Sequence, residues 1–333
     1  MNKIFSVFFL ALIAISSFAC KDIGRTLSKK SVTGKAGEVI VVADKNVWET
    51  EPGIELRKVL ASDYPALPQR EPAYNLIQIS ENAFSNLFKA HRNIIIFGVD
   101  AKYTEATMKT VEDVWAAPQT VIYFTGPNMA SIAKLIKDNN SVLFNTFGQA
   151  ERNRIINNSK KYEERALRSV VADAFGGSPY FPNGYSLKKK TKDFIWISYE
   201  TTYVNQGILI YSIPIKDTNS LKLEPFIESC NEVLKNNVPG MFENSYMTTS
   251  SQFKPIMNWM RYKNRQFAEV RGLWEVENDF MGGPFVIHAF YSKDNKSIIV
   301  VEGFVYAPKY PKRNYLRHIE SIIYSWEWAK NAN

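Results

Sequence analysis

Cysteine and histidine are both scarce in this chain. Its 333 residues include two cysteines, Cys20 and Cys230, and three histidines. Two cysteines cannot form the multiple disulfides of a small secreted scaffold, nor a zinc site built from paired CxxC motifs. The histidines, His91, His288 and His318, lie far apart in sequence and lack the spacing of metal ligands. We therefore predict neither a metal site nor a cofactor.

The common catalytic motifs are missing as well. The sequence contains no GxSxG nucleophile elbow and no HExxH pair. The stretch VTGKAGE, at residues 32–38, precedes a predicted strand, whereas a phosphate-binding loop follows a strand and opens a helix. Cys230 lies in FIESCNEVL, where apolar residues share its helical face, so we expect a buried and inert thiol. No reaction type follows from these residues.

An apolar run long enough to cross a membrane is also missing. The run IFSVFFLALIAI, at residues 4–15, is shorter than the about 20 residues of a transmembrane helix and matches the about 7 to 15 of a signal-peptide core. Small residues follow it, and Cys20 directly after Ala19 resembles the acceptor of a bacterial lipobox. We predict a signal peptide at residues 1–19 and lipidation of Cys20. The alternative is an ordinary signal peptide cut after Ala19, which leaves the cysteine free.

The segment after the predicted signal peptide has few apolar side chains and several turn-forming residues. We expect residues 20–36 to comprise the lipidated cysteine and a flexible tether. Most of its charged residues are basic, which suits an anionic membrane surface. Two or more acyl chains, such as palmitate, anchor a protein stably. We therefore predict a cell-envelope protein bound to a membrane through its lipid, the outer membrane rather than the inner one.

The whole chain carries a formal net charge of +8. Such a field favours anionic partners, which include lipid, acidic glycan and nucleic acid. The densest basic run comprises residues 188–190 and Lys192, but no aromatic residues interleave with it and no nucleic-acid-binding motif accompanies it. We interpret the run as a solvated turn before a strand, and we expect no nucleic-acid partner.

Residues 37–176 have the pattern of an α/β layer. Short apolar runs predict strands at EVIVVA, NLIQIS, NIIIFGV and TVIYFT, and EPGIELRKVLA and ENAFSNLFKAH predict helices with Ile54 and Leu87 facing inward. A long helical segment is expected from 129 to 175, interrupted near Gly148 and closed by Gly176. This arrangement predicts a mixed sheet covered by helices.

Residues 177–333 predict a second subdomain. The strands DFIWISYE, GILIYSIPI, QFAEVRGLWEVE, PFVIHAFYS and SIIVVEGFVYA follow one another closely, which favours a mostly antiparallel sheet with helices on one face. We place the boundary within residues 175–184, where glycine, proline and asparagine concentrate. The predicted class is therefore α+β: an N-terminal α/β layer with a mixed sheet, a long helical segment and an antiparallel sheet.

One acidic stretch, RGLWEVENDFMGGPF at residues 271–285, could carry chemistry. On a strand, Glu275, Glu277 and Asp279 would alternate onto one face together with Arg271. Three carboxylates could hold a hard cation or supply the acid and base of glycan cleavage. The simpler interpretation is a half-exposed strand with a charged outer face, followed by a Gly-Gly-Pro turn.

Five blocks of the sequence carry a resemblance to a known family. They are HRNIIIFGVD, QGILIYSIP, SYMTT, RGLWEVENDFMGGPFV and VEGFVYAPKYPKRNYLR. With them the chain resembles, over nearly the whole of its predicted mature length, a family of Bacteroidota lipoproteins described as a domain of unknown function. The resemblance implies an envelope lipoprotein and brings no catalytic residue with it.

Three functions remain open at this point. The first is a non-catalytic, lipid-anchored envelope protein that binds a protein or glycan partner on one sheet face. The second is an envelope glycan hydrolase or metal-assisted enzyme that uses Glu275, Glu277 and Asp279. The third is an assembly subunit, for which a large exposed apolar patch on residues 129–175 would be the sign.

Overall fold

The structure, a computed structural model, describes residues 29–329. Within this range the chain forms two large β-sheets and eight α-helices. The helices are α1 (Lys45–Trp48), α2 (Glu51–Leu60), α3 (Asn86–Lys89), α4 (Met129–Asp138), α5 (Asn140–Lys161), α6 (Arg165–Phe175), α7 (Leu223–Asn237) and α8 (Arg313–Tyr324). The predicted signal peptide and Cys20 lie outside the described residues.

The N-terminal sheet has five strands and is mixed. In chain order its strands are β2 (Glu38–Val42), β3 (Asn75–Ile79), β4 (Asn93–Val99), β5 (Thr107–Glu112) and β7 (Thr120–Gly126). They lie side by side as β3-β2-β4-β7-β5, in which the first four run parallel and β5 is antiparallel. Two short strands, β1 (Lys30–Ser31) and β6 (Ala116–Ala117), pair beside it. The parallel order explains why EVIVV is apolar throughout, since both faces of β2 are covered.

The second sheet has eight antiparallel strands. They are β9 (Ser186–Lys190), β10 (Phe194–Glu200), β11 (Asn205–Pro214), β12 (Tyr246–Thr249), β13 (Ile256–Tyr262), β14 (Arg265–Glu277), β15 (Gly282–Tyr291) and β16 (Ser297–Tyr306). Their order is β12-β14-β15-β16-β11-β10-β9, and β13 also pairs with β14. A separate short pair joins β8 (Gly177–Ser178) to β17 (Glu327–Trp328).

Each face of the antiparallel sheet packs against a different helix. Along β11, Ile208 and Ile210 face the core that contains α8, whereas Leu209 and Tyr211 face the core that contains α7. This alternation is the two-residue period of a strand that is buried on both sides. The predicted α+β class is confirmed, and α7 adds cover on the face opposite α8.

The long helix α5 joins the two sheets. Its buried Glu151 pairs with Arg92 beside β4, with 3.0 Å between Nη1 and Oε2, and accepts a hydrogen bond from Asn93 at 2.8 Å. The next residue, Arg152, reaches Glu320 on α8 instead. One apolar core runs across both halves of the described chain. Adjacent residues of α5 therefore fix the two sheets to each other, and a cavity lies where they meet.

Several local predictions were wrong. Helix α5 passes through Gly148 without a break, and the interruptions fall at Asn139 and at residues 162–164. The segment ENAFSNLFKAH forms a 3₁₀ turn (Glu81–Ala83) and the four-residue α3, because Ser85 is extended and begins a new helix. Ile54 and Leu87, expected to face inward, are exposed.

The basic run at residues 188–190 is also different from its prediction. It belongs to β9, the strand at one end of the sheet, and not to a turn. Its lysines are largely exposed, which is a common way of protecting an edge strand from pairing with other chains. The division of the chain at residue 176 stays a prediction.

Candidate functional site

A cavity of about 380 Å³ lies between the two sheets. Four parts of the chain supply its walls: the loop after α2 through Tyr64, helix α5 through Arg152, the β13–β14 hairpin through Arg271, and helix α8 through Glu320. We call it the arginine cavity and define it by six residues: Tyr64, Arg152, Glu269, Arg271, Arg317 and Glu320.

Two buried carboxylates bind two guanidinium groups in this cavity. Arg271 contacts Glu269 through Nε at 2.8 Å and Glu320 through Nη2 at 2.9 Å. Arg152 Nη2 lies 3.5 Å from Glu320 Oε1. Two tyrosines complete the network, since Tyr64 donates to Glu320 at 2.7 Å and Tyr324 donates to Glu269 at 3.2 Å. Both oxygens of Glu269 and both oxygens of Glu320 thus have a partner.

The alternation along β14 sets half of this network. Arg265, Phe267, Glu269 and Arg271 occupy every second position, so they share the face that packs against α8. On α8, Arg317 and Glu320 are three residues apart and lie on one helix face. Packing α8 across β14 therefore brings Glu320 to Arg271.

The network keeps both carboxylates ionised. Burial by itself would raise the pKa of Glu269, but the Arg271 guanidinium holds that pKa well below its usual range. Arg271 likewise lowers the pKa of the buried Glu320. Burial and the nearby Glu320 carboxylate raise the pKa of Tyr64 far above its usual value, so the phenol keeps its proton. Neither glutamate can donate a proton at neutral pH, and the arrangement is suited to holding charge.

Positive charge exceeds negative charge in the arginine cavity. Arg317 is buried, and no carboxylate of the described residues lies within 4.0 Å of it. It donates to the Ala73 carbonyl at 2.8 Å and stacks over Tyr74 at 4.8 Å, but its Nη1 has no hydrogen-bond partner. Arg271 Nη1 is buried without a partner as well. Three guanidinium groups, those of Arg152, Arg271 and Arg317, face two carboxylates in the lining, so the cavity favours an anion.

Two of the three histidines, His288 and His318, pack against aromatic rings. His288 is fully buried behind the cavity, 4.0 Å from the Phe267 ring, and burial lowers its pKa to about 4. Burial lowers the pKa of His318 to about 4 as well. Both imidazoles are therefore neutral at neutral pH. Within residues 29–329, no three His, Cys, Asp or Glu side chains converge as metal ligands.

The three carboxylates predicted from sequence do not line the arginine cavity. Glu275 accepts a hydrogen bond from Ser250 at 2.7 Å, and Glu277 is exposed at the end of β14. Asp279 lies beyond the strand, in the turn before β15, so it does not continue the alternation. The expected opposite face is present, because Trp274 and Val276 are buried.

The Cys230 thiol is buried, as predicted from the sequence. Burial and the neighbouring Glu302 raise its pKa, which leaves it as an unreactive thiol. In the segment 129–175, the large apolar side chains exposed among the described residues are Val142 and Tyr162. They are 20 residues apart, or about 30 Å along the helix, so they form no common patch.

Sequence reasoning missed the arginine cavity. The spacing RxFxExR at residues 265–271 could have shown that Arg271 shares a face with Glu269 and Arg265, because period-2 spacing is visible in the sequence. The partners Tyr64, Arg152 and Glu320 carry no such signal. They come from elements that only tertiary packing brings together.

Two family models match the chain, and both are described as domains of unknown function. DUF8532 matches residues 32–160 and DUF4837 matches residues 164–325. No curated protein shows significant similarity to the chain.

Solved structures give weak similarities. The Ran-binding protein Mog1p of Saccharomyces cerevisiae is 11% identical over 46% of this chain and 90% of its own, with a TM-score of 0.31. Human STARD10 is 9% identical over 48% and 80%, with a TM-score of 0.22. A protein of Bacteroides thetaiotaomicron is 10% identical over 47% of each chain, with a TM-score of 0.21. At such TM-scores the similarities carry no argument about fold or function.

Proposed function

We propose that this chain, which matches two domain families of unknown function, is a lipid-anchored envelope protein that binds an anionic ligand in the arginine cavity. The observation that carries the proposal is the buried Arg317, which lines the cavity and has no carboxylate partner among the described residues. Arg152 and Arg271 line the same cavity, where, within residues 29–329, only Glu269 and Glu320 oppose the three arginines. A bound anion would balance this excess of positive charge.

Binding is favoured over catalysis by the protonation states in the cavity. Glu269 and Glu320 are held ionised by Arg271, and Tyr64 is held protonated, so no group in the network is poised to exchange a proton near neutral pH. The hydrolase alternative, which uses Glu275, Glu277 and Asp279, stays a prediction. No contact of these carboxylates in the described residues favours it.

The lipid anchor remains a proposal that rests on the sequence. Its support is the apolar run at residues 4–15 followed by Ala19 and Cys20, together with the resemblance to Bacteroidota lipoproteins. In residues 29–329, the helices are too short or too polar to cross a membrane. We propose that the acylated Cys20 attaches the protein to the outer membrane.

Replacement of Cys20 by serine is expected to abolish lipidation. Cells that express Cys20→Ser should incorporate no labelled palmitate into the protein, because the serine hydroxyl cannot accept the diacylglyceryl group. Cys230→Ser is the matched control and should label like the wild type, since Cys230 is buried in the folded body. Equal labelling of Cys20→Ser and the wild type would rule out Cys20 as the acceptor.

Anion binding in the arginine cavity is testable by thermal unfolding at constant ionic strength. We expect galacturonate or inorganic phosphate, at about ten times its Kd, to raise the Tm of the wild type by about 2–4 °C. Arg317→Gln should remove this increase, since it deletes a cation without leaving a carboxylate unpaired. Arg70→Gln makes the same charge change at a side chain that is 89% exposed, and it should keep the increase. Equal Tm increases in both variants would contradict the proposal.

A further inference from the structure

A second cavity, of about 340 Å³, adjoins the arginine cavity. We call it the tryptophan cavity and define it by Lys160, Tyr262, Arg265, Tyr324, Trp326 and Trp328. Tyr262 and Tyr324 line both cavities, and their rings meet edge to face with 5.0 Å between centroids. The two cavities are therefore neighbours separated by one pair of rings.

Arg265 is a largely buried cation without a counter-charge. No carboxylate of residues 29–329 lies within 4.0 Å of its guanidinium, which stacks over Phe290 at 4.8 Å and Phe267 at 5.2 Å. Its Nη2 donates to the Ile323 carbonyl at 3.4 Å, but its Nε and Nη1 are buried and have no partner. Burial lowers the pKa of Arg265 to about 10, so the group is still charged at neutral pH.

The surroundings of Arg265 are aromatic. Trp326 and Trp328 meet edge to face at 5.8 Å, and the buried Trp326 Nε1 has no hydrogen-bond partner. Asn264 and Ser325 add amide and hydroxyl groups to the wall. The Glu327 carboxylate in the same wall is paired with Lys160 at 2.7 Å. Flat rings pack well against the apolar CH faces of sugar rings.

One arginine of each cavity belongs to the same face of one strand. Arg265 and Arg271 are six positions apart on β14, which places their Cα atoms about 20 Å apart along the strand. Between them on this face lie Phe267 and Glu269. A ligand that reaches from Arg265 into the arginine cavity must therefore be extended, and it needs one anionic group for each cavity.

We propose that Arg265 forms a second anion subsite and that the ligand is an acidic oligosaccharide. One anionic group of the ligand lies in the arginine cavity, its sugar rings pass the Tyr262–Tyr324 pair, and a second anionic group pairs with Arg265. This inference rests on the proposed function for its first subsite, whereas the second subsite stands on Arg265, Trp326 and Trp328 alone.

The test compares galacturonate, tetragalacturonate and tripolyphosphate by isothermal titration calorimetry. It uses the whole chain without the predicted signal peptide. The wild type should bind tetragalacturonate roughly a hundredfold more tightly than galacturonate. Once one carboxylate of the tetramer is bound, the link holds a second carboxylate at a high effective concentration near the other subsite. Arg265→Gln should reduce this advantage to about threefold or less. Arg265→Lys, which keeps the charge but loses the planar fork, should lose part of the advantage.

Each other outcome has a defined meaning. An unchanged advantage in both Arg265 variants, with native melting curves, would overturn the second subsite. Tripolyphosphate that binds through Arg265 as tightly as tetragalacturonate would overturn the oligosaccharide, and so would failure of both to bind. If tetragalacturonate binding depends on Arg265 but not on Arg317, the second subsite stands and the proposed function of the arginine cavity fails. If Arg265→Gln does not fold, Arg265→Lys decides.

Discussion

Arg271→Met is expected to lower the free energy of unfolding by about 3–5 kcal/mol at pH 7. Within residues 29–329, Arg271 is the one guanidinium that contacts both Glu269 and Glu320, at 2.8 and 2.9 Å. Removing it leaves Glu269 without an arginine partner and Glu320 with Arg152 at 3.5 Å, in a buried site where an unpaired charge costs far more than the lost attraction. Urea denaturation followed by tryptophan fluorescence measures the difference.

The destabilisation by Arg271→Met should shrink as the pH falls. In the wild type, Arg271 depresses the pKa of Glu269 and of Glu320, so their contribution is present above pH 4.5 and is lost as the pH falls through the folded pKa. In the variant, the two carboxylates that have lost Arg271 can take up protons instead. A destabilisation caused by lost packing alone would not depend on pH in this way.

Arg261→Met is the matched control for this experiment. Arg261 lies on the neighbouring strand β13 and lines the same cavity, but it is exposed and forms no ion pair among the described residues. Its replacement should change the free energy of unfolding by no more than about 0.5 kcal/mol. If the two variants were equally stable, the buried network would not have the role assigned to it.

The sequence was sufficient to predict the strands that are buried on both faces, because such burial leaves a continuous apolar run. EVIVV and NIIIFGV became β2 and β4, as expected. The same reasoning failed for Gly148, which costs little within a long helix. The space that its missing side chain leaves is used by Tyr74, whose hydroxyl would lie 3.4 Å from a Cβ at that position.

The candidate site could be predicted only in part, because its residues come from four separate elements. The hydrogen bond from Tyr64 to Glu320 joins residues 256 positions apart. No local pattern marks either residue, and only the packing of α8 against the loop after α2 brings them together. The alternating carboxylates Glu275 and Glu277 are visible in the sequence. The charged residues that have buried partners, Glu269 and Arg271, lie nearer the middle of the same strand.

The antiparallel sheet also buries a carboxyl on its opposite face, and this carboxyl has no arginine partner among the described residues. Glu302 on β16 is buried in the core beneath α7, where Tyr211 donates to it at 2.9 Å. No Lys, Arg or His of the described residues lies within 4.0 Å of this carboxyl. Burial raises the pKa of Glu302 to about 7, so the folded protein keeps it protonated in mild acid.

Glu302→Gln should remove a strong pH dependence of stability. Between the ordinary pKa of 4.5 and the folded pKa of about 7, the unfolded chain loses this proton while the folded protein keeps it, so wild-type stability falls as pH rises. The loss amounts to about 3 kcal/mol. Relative to the wild type, Glu302→Gln should therefore gain about 3 kcal/mol of stability between pH 4.5 and pH 7.5.

The comparison between variant and wild type is needed because two histidines change stability with pH in the opposite direction to Glu302. His288 and His318, each with a pKa lowered to about 4 by burial, add stability as pH rises from 4 to 6.5 and can mask the loss in the wild-type curve. Subtracting the variant curve cancels their contribution. Glu277→Gln, at an exposed position, should differ from the wild type by a constant amount across this range. A constant difference for Glu302→Gln as well would mean that Glu302 ionises in the folded protein as it does in the unfolded chain.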